Sequence, residues 1–406
     1  MQLKRRFKLA ALAAATGLTM GAAHAQSSVT LYGQVDAWVG AQKGFDSSRA
    51  GVVNPGGMST SYWGLKGSED LGNGLKSLFA LEAFFRPDTG RAGRFDGDNF
   101  FARNAFVGLS SNAWGTIKLG RNTPPYFVST ILFNPFIDSY TFSPAVFHTY
   151  LGNGLSGAAG ISGLVGDSGW NNSILYSTPD FNGLTANLIY GAGEQAGHNG
   201  QNKWGGSLLY FHGNFAATAA YQQVRFDANP GDLDTIVAGF RRQDAALLGA
   251  TYDFGVVKLY GQYQHIKNTI STGDTKANGG QLGVSVPVGA GSILASYAYT
   301  KTSGAVDVKR NTWAIGYDYA LSKRTDLYAA YFRDKVTSLS TADTFGVGMS
   351  GPFLSPSAMR ALRQSQHCAI VIAGPGDAER RVRPGQHDGG RYITAAGEHQ
   401  FQRGGD

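Results

Sequence analysis

Three groups of residues in this 406-residue chain have the types and spacing that chemistry uses. GDSG at residues 166 to 169 has the form of a serine-nucleophile segment. Nucleophilic catalysis needs a base oriented by a third group, and His148, His198, His212 and His265 stand in no motif that supplies one. GNGLSG from Gly152 and GVGMSG from Gly346 match GxGxxG, but neither opens a helix after the strand of a βαβ unit, the setting that dinucleotide binding needs. No spacing of His, Cys, Asp or Glu suits a metal ion, and nothing calls for a cofactor. What is left is a set of fixed charges: Lys66, Lys76, Glu82 and Lys118 on the polar positions of alternating stretches, Arg103 at the start of one stretch, Arg121 at the end of another, and Asp138 and Asp167 beyond it. Fixed charges act on ions through their field, without making or breaking bonds.

Such charges need a surface that holds them on one side. From Gln26 onward the chain supplies short stretches of alternating polarity, punctuated by Gly, Asn, Asp and Ser. In VTLYGQVDAWVG, Leu31, Val35, Ala37 and Val39 share one face and Tyr32, Gln34, Asp36 and Trp38 the other, which is the period of a strand. SYWGLKGSEDLGNGLKSLFALEAFF reads as a hairpin turning between Glu69 and Asn73. Two more strands follow at residues 103 to 110 and 115 to 121, and eleven lie between residues 172 and 349, giving sixteen. Short turns alternate with longer polar connections at residues 40–58, 86–100, 193–203, 226–244, 268–278, 302–310 and 335–343. This rhythm describes an all-β, up-and-down antiparallel barrel with one tidy rim and one elaborate rim.

One connection breaks the rhythm. The fifty residues from Asn122 to Asn171 contain nine aromatic residues and only two formal charges, Asp138 and Asp167. A connection of this length without a periodic pattern is usually functional, and we expect it to fold inward and narrow the barrel's interior.

Composition sets the environment. MQLKRRFKLAALAAATGLTMGAAHA has a basic start, an apolar run and a small-x-small end at Ala23 to Ala25, the form of a secretory signal peptide over residues 1–25. Residues 26 to 349 hold 24 Lys plus Arg against 23 Asp plus Glu, so the body is nearly neutral and carries no basic stripe for nucleic acid. Sixteen strands exceed what a soluble sandwich normally uses. Aromatic residues gather near strand ends, as a membrane-interface girdle requires. A closed barrel leaves no unpaired edge in lipid, so we expect a transmembrane barrel in contact with outer-membrane lipid.

The stretches SSVTLYGQVDA, WGLKGSEDLGNGLKSLFALE, RNAFVGLSSNAWGTIKLGR, NNSILYSTPDFNGL, YDFGVVKLYGQYQ and YALSKRTDLYAAY resemble the general porins of Gram-negative outer membranes, in particular the β-proteobacterial branch. The resemblance implies a 16-stranded antiparallel transmembrane β-barrel, usually a homotrimer, that passes small hydrophilic solutes and ions by diffusion. It also implies that the long connection is an inward-folded constriction loop. Lys66, Lys76, Glu82, Arg103, Lys118, Arg121 and Asp138 are then candidate constriction residues, and the excess of basic groups leans the pore toward anions. Relatives often carry a basic residue just before the NNS segment, where this chain has Trp170. The rival readings are an outer-membrane barrel enzyme, which needs a nucleophile paired with a base, and an adhesin or structural barrel.

Composition changes after about Met349. Residues 350 to 406 hold seven Arg, no Lys, the only Cys (Cys368) and three of the eight His. We expect residues 26–349 to form the barrel and residues 350–406 to be an atypical tail, disordered or frame-shifted, because TFGVGM is too short to cross a bilayer and Pro352 lacks a ladder donor where the last strand should continue.

Overall fold

Alternating polarity becomes the two faces of a single closed sheet. The computed structural model describes residues 28–155, 163–164, 168–194, 196, 201–226 and 239–353. The signal segment, Asp167 and the chain beyond residue 353 lie outside the described residues. Around the sheet run β1 (Ser28–Lys43), β2 (Ala50–Pro55), β3 (Tyr62–Gly72), β4 (Leu75–Arg86), β5 (Arg91–Ala92), β6 (Asn104–Ser111), β7 (Gly115–Asn122), β8 (Trp170–Ser177) and β9 (Leu184–Gly191). They continue with β10 (Lys203–His212), β11 (Phe215–Arg225), β12 (Phe240–Asp253), β13 (Lys258–Ile270), β14 (Thr275–Val288), β15 (Gly291–Gly304), β16 (Val308–Ala320), β17 (Asp326–Val336) and β18 (Thr341–Phe353). Neighbours pair antiparallel, and β18 pairs with β1 to close the ring. β2 and β3 share the flank of β1, at Ala37 to Gln42 and Ser28 to Gln34 respectively, and so form one interrupted stave. β5 is a two-residue ladder on the end of β4. Of eighteen strands, sixteen staves therefore make the barrel.

The faces are inverted relative to a soluble protein. Val29, Val107, Leu188, Leu248 and Leu282 are exposed on the outside, while Gln34, Asp36, Gln243, Thr251, Gln281, Thr300 and Thr312 are buried inside. Outward apolar side chains are favourable only against lipid, and closure satisfies every ladder bond there. At the short-turn rim the hairpins close tightly. Asn73 (φ 53°) and Gly74 (φ 75°) form the left-handed pair that a two-residue turn between twisted strands demands.

The structure differs from the sequence expectation in three places. The connections expected at 268–278, 302–310 and 335–343 shrink to residues 271–274, 305–307 and 337–340, because the strands continue above the apolar band, where polar residues on both faces erase the alternation. The last strand continues past Met349, with thirteen described residues, and its register with β1 runs from Lys43↔Asp343 to Gly33↔Phe353. Pro352 does not stop it: pairing with β17 ends at Ser350, so only the β1 flank remains beside the proline. Finally, the long connection contains two short helices, α1 (Pro125–Leu132) and α2 (Pro144–Tyr150). Each starts with proline at its first turn, and Ser143 caps α2 by accepting from the Val146 amide.

Between β2 and β3 the chain turns inward and wraps a carboxylate. Asp36 accepts from the amides of Gly57 (2.7 Å), Met58 (3.0 Å) and Ser59 (3.0 Å) and from the Tyr328 hydroxyl (2.6 Å), tying β1 and β17 to this turn. Asp36→Ala would leave three buried amides unpaired, at about 1–3 kcal/mol each. The temperature at which the folded barrel loses its compact electrophoretic mobility should fall by many degrees, and an unchanged transition would show that the knot is dispensable.

Candidate functional site

The segment after β7 lies against the inner wall from β10 around to β18. α1 packs on β10, β11 and β12, and α2 on β14, β15 and β16. Its aromatic residues bury themselves in the wall: Tyr126 among Ala245, Leu247 and Ile266, Phe133 with Leu209 and Ala216, and Phe136 and Phe142 with Trp38, Ala314 and Tyr328. Glycines on the inward parity make the room. A Cβ at Gly249 would come within 3.1 Å of Phe133, one at Gly283 within 2.6 Å of Pro135, and one at Gly346 within 3.0 Å of Phe142. Polar contacts fix the register. Ser129 and Thr218 lie 2.9 Å apart, Gln262 donates to the Thr130 carbonyl (2.9 Å), and Ser139 and Thr141 donate to the carbonyls of Gly57 and Gly56.

The strongest anchor is a buried ionic network under α2. Arg310 and Asp334 pair at 2.7 Å with side chains 2% and 1% exposed. Arg310 also donates to the carbonyls of Phe147 (3.2 Å) and Leu151 (2.9 Å), satisfying the end of α2. Asp334 accepts from the Thr312 hydroxyl at 2.6 Å, so Thr312 Oγ1 must accept from His148 Nε2, 2.6 Å away. His148 Nδ1, 2.7 Å from Thr300 Oγ1, then accepts that hydroxyl. This is a neutral imidazole with both nitrogens used. Burial, and then the Arg310 charge, push its pKa well below the usual 6.5.

The wall of β3, β4, β6 and β7 stays open to the interior, and four of the expected residues meet there. Glu82 is the hub: its carboxylate accepts from the Tyr32 hydroxyl, from Arg103 Nη1 (2.5 Å) and from Asn104 Nδ2 (2.6 Å). Arg103 lies 4.2 Å over the Tyr62 ring. Lys66 sits 4.6 Å over Tyr32 and Lys118 4.7 Å over Phe106. The register puts them on one inward patch, with Lys66 opposite Ala80, Ala80 opposite Phe106 and Lys118 opposite Gly108. From the inserted segment Asp138 reaches the same side, accepting from Ser59 Oγ at 3.0 Å.

Two expected residues lie elsewhere. Arg121 is buried and donates to the Ala102 carbonyl (2.7 Å) and to Asn171, so it clamps the two ends of the long segment instead of facing the lumen. Lys76 lies six residues below Glu82 along β4, roughly 20 Å away, opposite Asp70 at the short-turn rim. Trp170 does not leave its corner without a base, since Lys203 of β10 places its ammonium 5.9 Å from that ring. Arg310, Asp334 and His148 were missed. Counting by twos from the outward Trp313 would have put Arg310 and Thr312 inside, but nothing in the sequence pairs them with α2.

The chain resembles known proteins over nearly its whole length. A family model described as Gram-negative porin matches residues 9–338. Outer membrane porin protein 32 of Delftia acidovorans is 34% identical, with 86% of this chain and 94% of that protein aligned. An outer membrane porin of Bordetella pertussis is 30% identical over 76% of this chain and 89% of its own length. Among solved structures, the anion-selective porin from Comamonas acidovorans superposes with a TM-score of 0.68 at 30% identity, covering 80% of this chain and all of that one.

The His148 contacts carry a pH dependence. Its pKa is depressed in the docked state, so docking is fully supported above the usual value and weakens as pH falls below about 6.5, by at most about 1.4 kcal/mol per unit. Single-channel current noise should be flat from pH 8 to 7 and rise toward pH 5. His148→Gln should remove the dependence, and a wild-type channel quiet throughout would exclude this role.

Proposed function

The chain belongs to the Gram-negative porin family and forms an outer-membrane diffusion channel, and from this premise we propose that the channel passes small hydrophilic solutes and ions with a preference for anions. The observation that carries the preference is the unequal charge across the lumen. On the open wall Lys66 and Lys118 make no ion pair among the described residues, while Glu82 is compensated by Arg103 and two neutral donors. The opposite side is the inserted segment, which between Asn122 and Tyr150 has a single formal charge, Asp138. The local balance is positive, and an anion crossing the gap meets two ammonium groups at aromatic-backed positions, each within the field of Glu82 but in no close ion pair among the described residues. The anion selectivity stated for the Comamonas acidovorans porin has the same sign.

In this proposal the segment from Asn122 to Asn171 is the constriction, and Lys66, Glu82, Arg103, Lys118 and Asp138 line it. Support comes from their shared inward patch and from the packing of the segment on the far wall. A homotrimer belongs to the same reading and is supported by the family resemblance. Catalysis has no part in it, since a channel of this kind works by size and field alone.

Reversal potentials across a planar bilayer in a KCl gradient should show chloride permeating more readily than potassium. One charge at about 8 Å in water changes an ion's energy by roughly 0.5 kcal/mol, reduced further by salt. Lys66→Glu together with Lys118→Glu should therefore lower the chloride-to-potassium ratio by about tenfold. A cation-preferring wild type, or a double variant with an unaltered potential, would refute the assignment.

A further inference from the structure

α2 rests on four consecutive strands, and three of them hold it by side-chain hydrogen bonds. β13 offers Gln264, 3.0 Å from Thr149 Oγ1; β15 offers Thr300, 2.7 Å from His148 Nδ1; β16 offers Thr312 and Arg310, which reach His148 Nε2 and the carbonyls of Phe147 and Leu151. β14 runs between β13 and β15 and packs against α2. Among the described residues it makes no such bond to the helix. At that place the wall and α2 leave a recess of about 10 Å³, lined by Gly279 and Gln281 of β14, Gln264 of β13, Thr300 of β15 and Thr149 of α2.

Glycine makes the recess. Gly279 is paired with Gln264 on one flank and Thr300 on the other, and a Cβ there would fall 2.6 Å from Thr300 Oγ1 and 3.3 Å from the Gln264 amide. The atoms that face this space are short of donors. Thr149 Oγ1 stands 2.7 Å from the Ala145 carbonyl and 3.0 Å from Gln264 Oε1, and its single proton goes to the nearer carbonyl. A half-turn of the Gln264 amide, which leaves its outline unchanged, lets the nitrogen donate to Thr149 and brings the oxygen to the Gly279 side. Gln281 is 4% exposed, and its Nε2 donates to Ser296 Oγ at 3.0 Å, on the side of Gly283, where a Cβ would come within 2.6 Å of that nitrogen. Its Oε1 is thereby turned the other way along β14, toward Gly279, and has no partner among the described residues. Two amide oxygens thus meet at one recess without a donor.

A recess of this volume takes one water and nothing larger. Two acceptors call for a ligand that donates twice, which excludes chloride, and two neutral oxygens fall short of the about six that a hard cation gathers. We propose that the recess is a binding site for a single water, which donates to the oxygens of Gln264 and Gln281 and so holds the Gln264 amide in the orientation that donates to α2. Both buried oxygens gain the partner that their burial demands, and β14 becomes the fourth strand to fasten the helix. The site stands on its own geometry. Its consequence for current rests on the proposed constriction, because a helix that rocks on the wall alters the current only if its segment limits the gap.

The test uses the full-length protein, crystallised with potassium bromide at a resolution that shows ordered water. A solvent peak without anomalous signal should lie within about 3.2 Å of both Gln264 and Gln281. Gln281→Met and Gln264→Met, each of similar length without an amide, should lose the peak, and should one of them fail to assemble the other gives the same reading. In planar bilayers at pH 8, where His148 is neutral, each should raise open-channel current noise by about twofold or more. The double variant should be no noisier than Gln264→Met alone, which two independent packing defects would not produce. A wild-type map without the peak, a bromide signal in the recess, a peak kept in both variants, or additive noise in the double variant would each overturn the proposal. If the variants lose the peak while their noise stays at the wild-type level, the water site stands and the constriction reading fails.

Discussion

In hydrocarbon no backbone amide or carbonyl can turn to water, and every other feature of this chain follows from meeting that condition with strands. The only sheet without edges is a closed one, so β18 must find β1 whatever lies beyond it in the sequence, and it does so through eleven register pairs. A ring of sixteen staves encloses more space than inward side chains can fill. The chain fills part of it with its own segment, and the cost of placing backbone inside the lumen reappears as hydrogen bonding. The carbonyls at the end of α2 are met by Arg310, those of Gly56 and Gly57 by Thr141 and Ser139, and that of Thr130 by Gln262.

The buried Arg310–Asp334 pair makes sense in this setting. An ion pair removed from water often gains little over apolar packing of the same volume, yet removing one partner is expensive. Here the pair does more than neutralise itself. Arg310 holds two helix-end carbonyls and Asp334 orients Thr312 toward His148, so one pair fixes the far side of the segment. Asp36 does the equivalent work at the near side through the inward turn at Gly57 to Ser59. The segment is thus held at two places by buried carboxylates, neither of which faces the solute.

Much of the barrel was legible because lipid enforces a strict two-residue period over the apolar band: the strand count, the tidy rim and the inward parity of Lys66, Glu82 and Lys118 all follow from it. Legibility ended where the enforcing solvent ended. Above the band, strands such as β13 and β14 carry Lys, Asn and Thr on both faces, and their upper ends looked like loops. The two helices were hidden because α1 and α2 are each only about two turns long, too short for a helical period to stand out from the surrounding irregular sequence. Arg121 was chosen for its place at the mouth of the long connection and not for its parity, and there, where the β7–β8 register shifts between Gly120 and Asn122, its side chain turns to the Ala102 carbonyl and to Asn171.

The near absence of charge in the inserted segment is the other half of its docking. A segment pressed onto the inner wall presents one side to that wall and the other to the solute path, and it needs glycine notches to approach the backbone, Gly249 for Phe133, Gly283 for Pro135 and Gly346 for Phe142. A charged side chain at Phe133, Phe136 or Phe142 would be stripped of water without a partner, which costs far more than the ring contributes. The packing that holds the segment therefore keeps it poor in charge, which in the proposed channel leaves most of the field in the gap to the opposite wall. In the channel we propose, selectivity is the complement of this packing: because the far side must be largely apolar to stay in place and contributes only Asp138, the near side carries most of the charge that sets the sign.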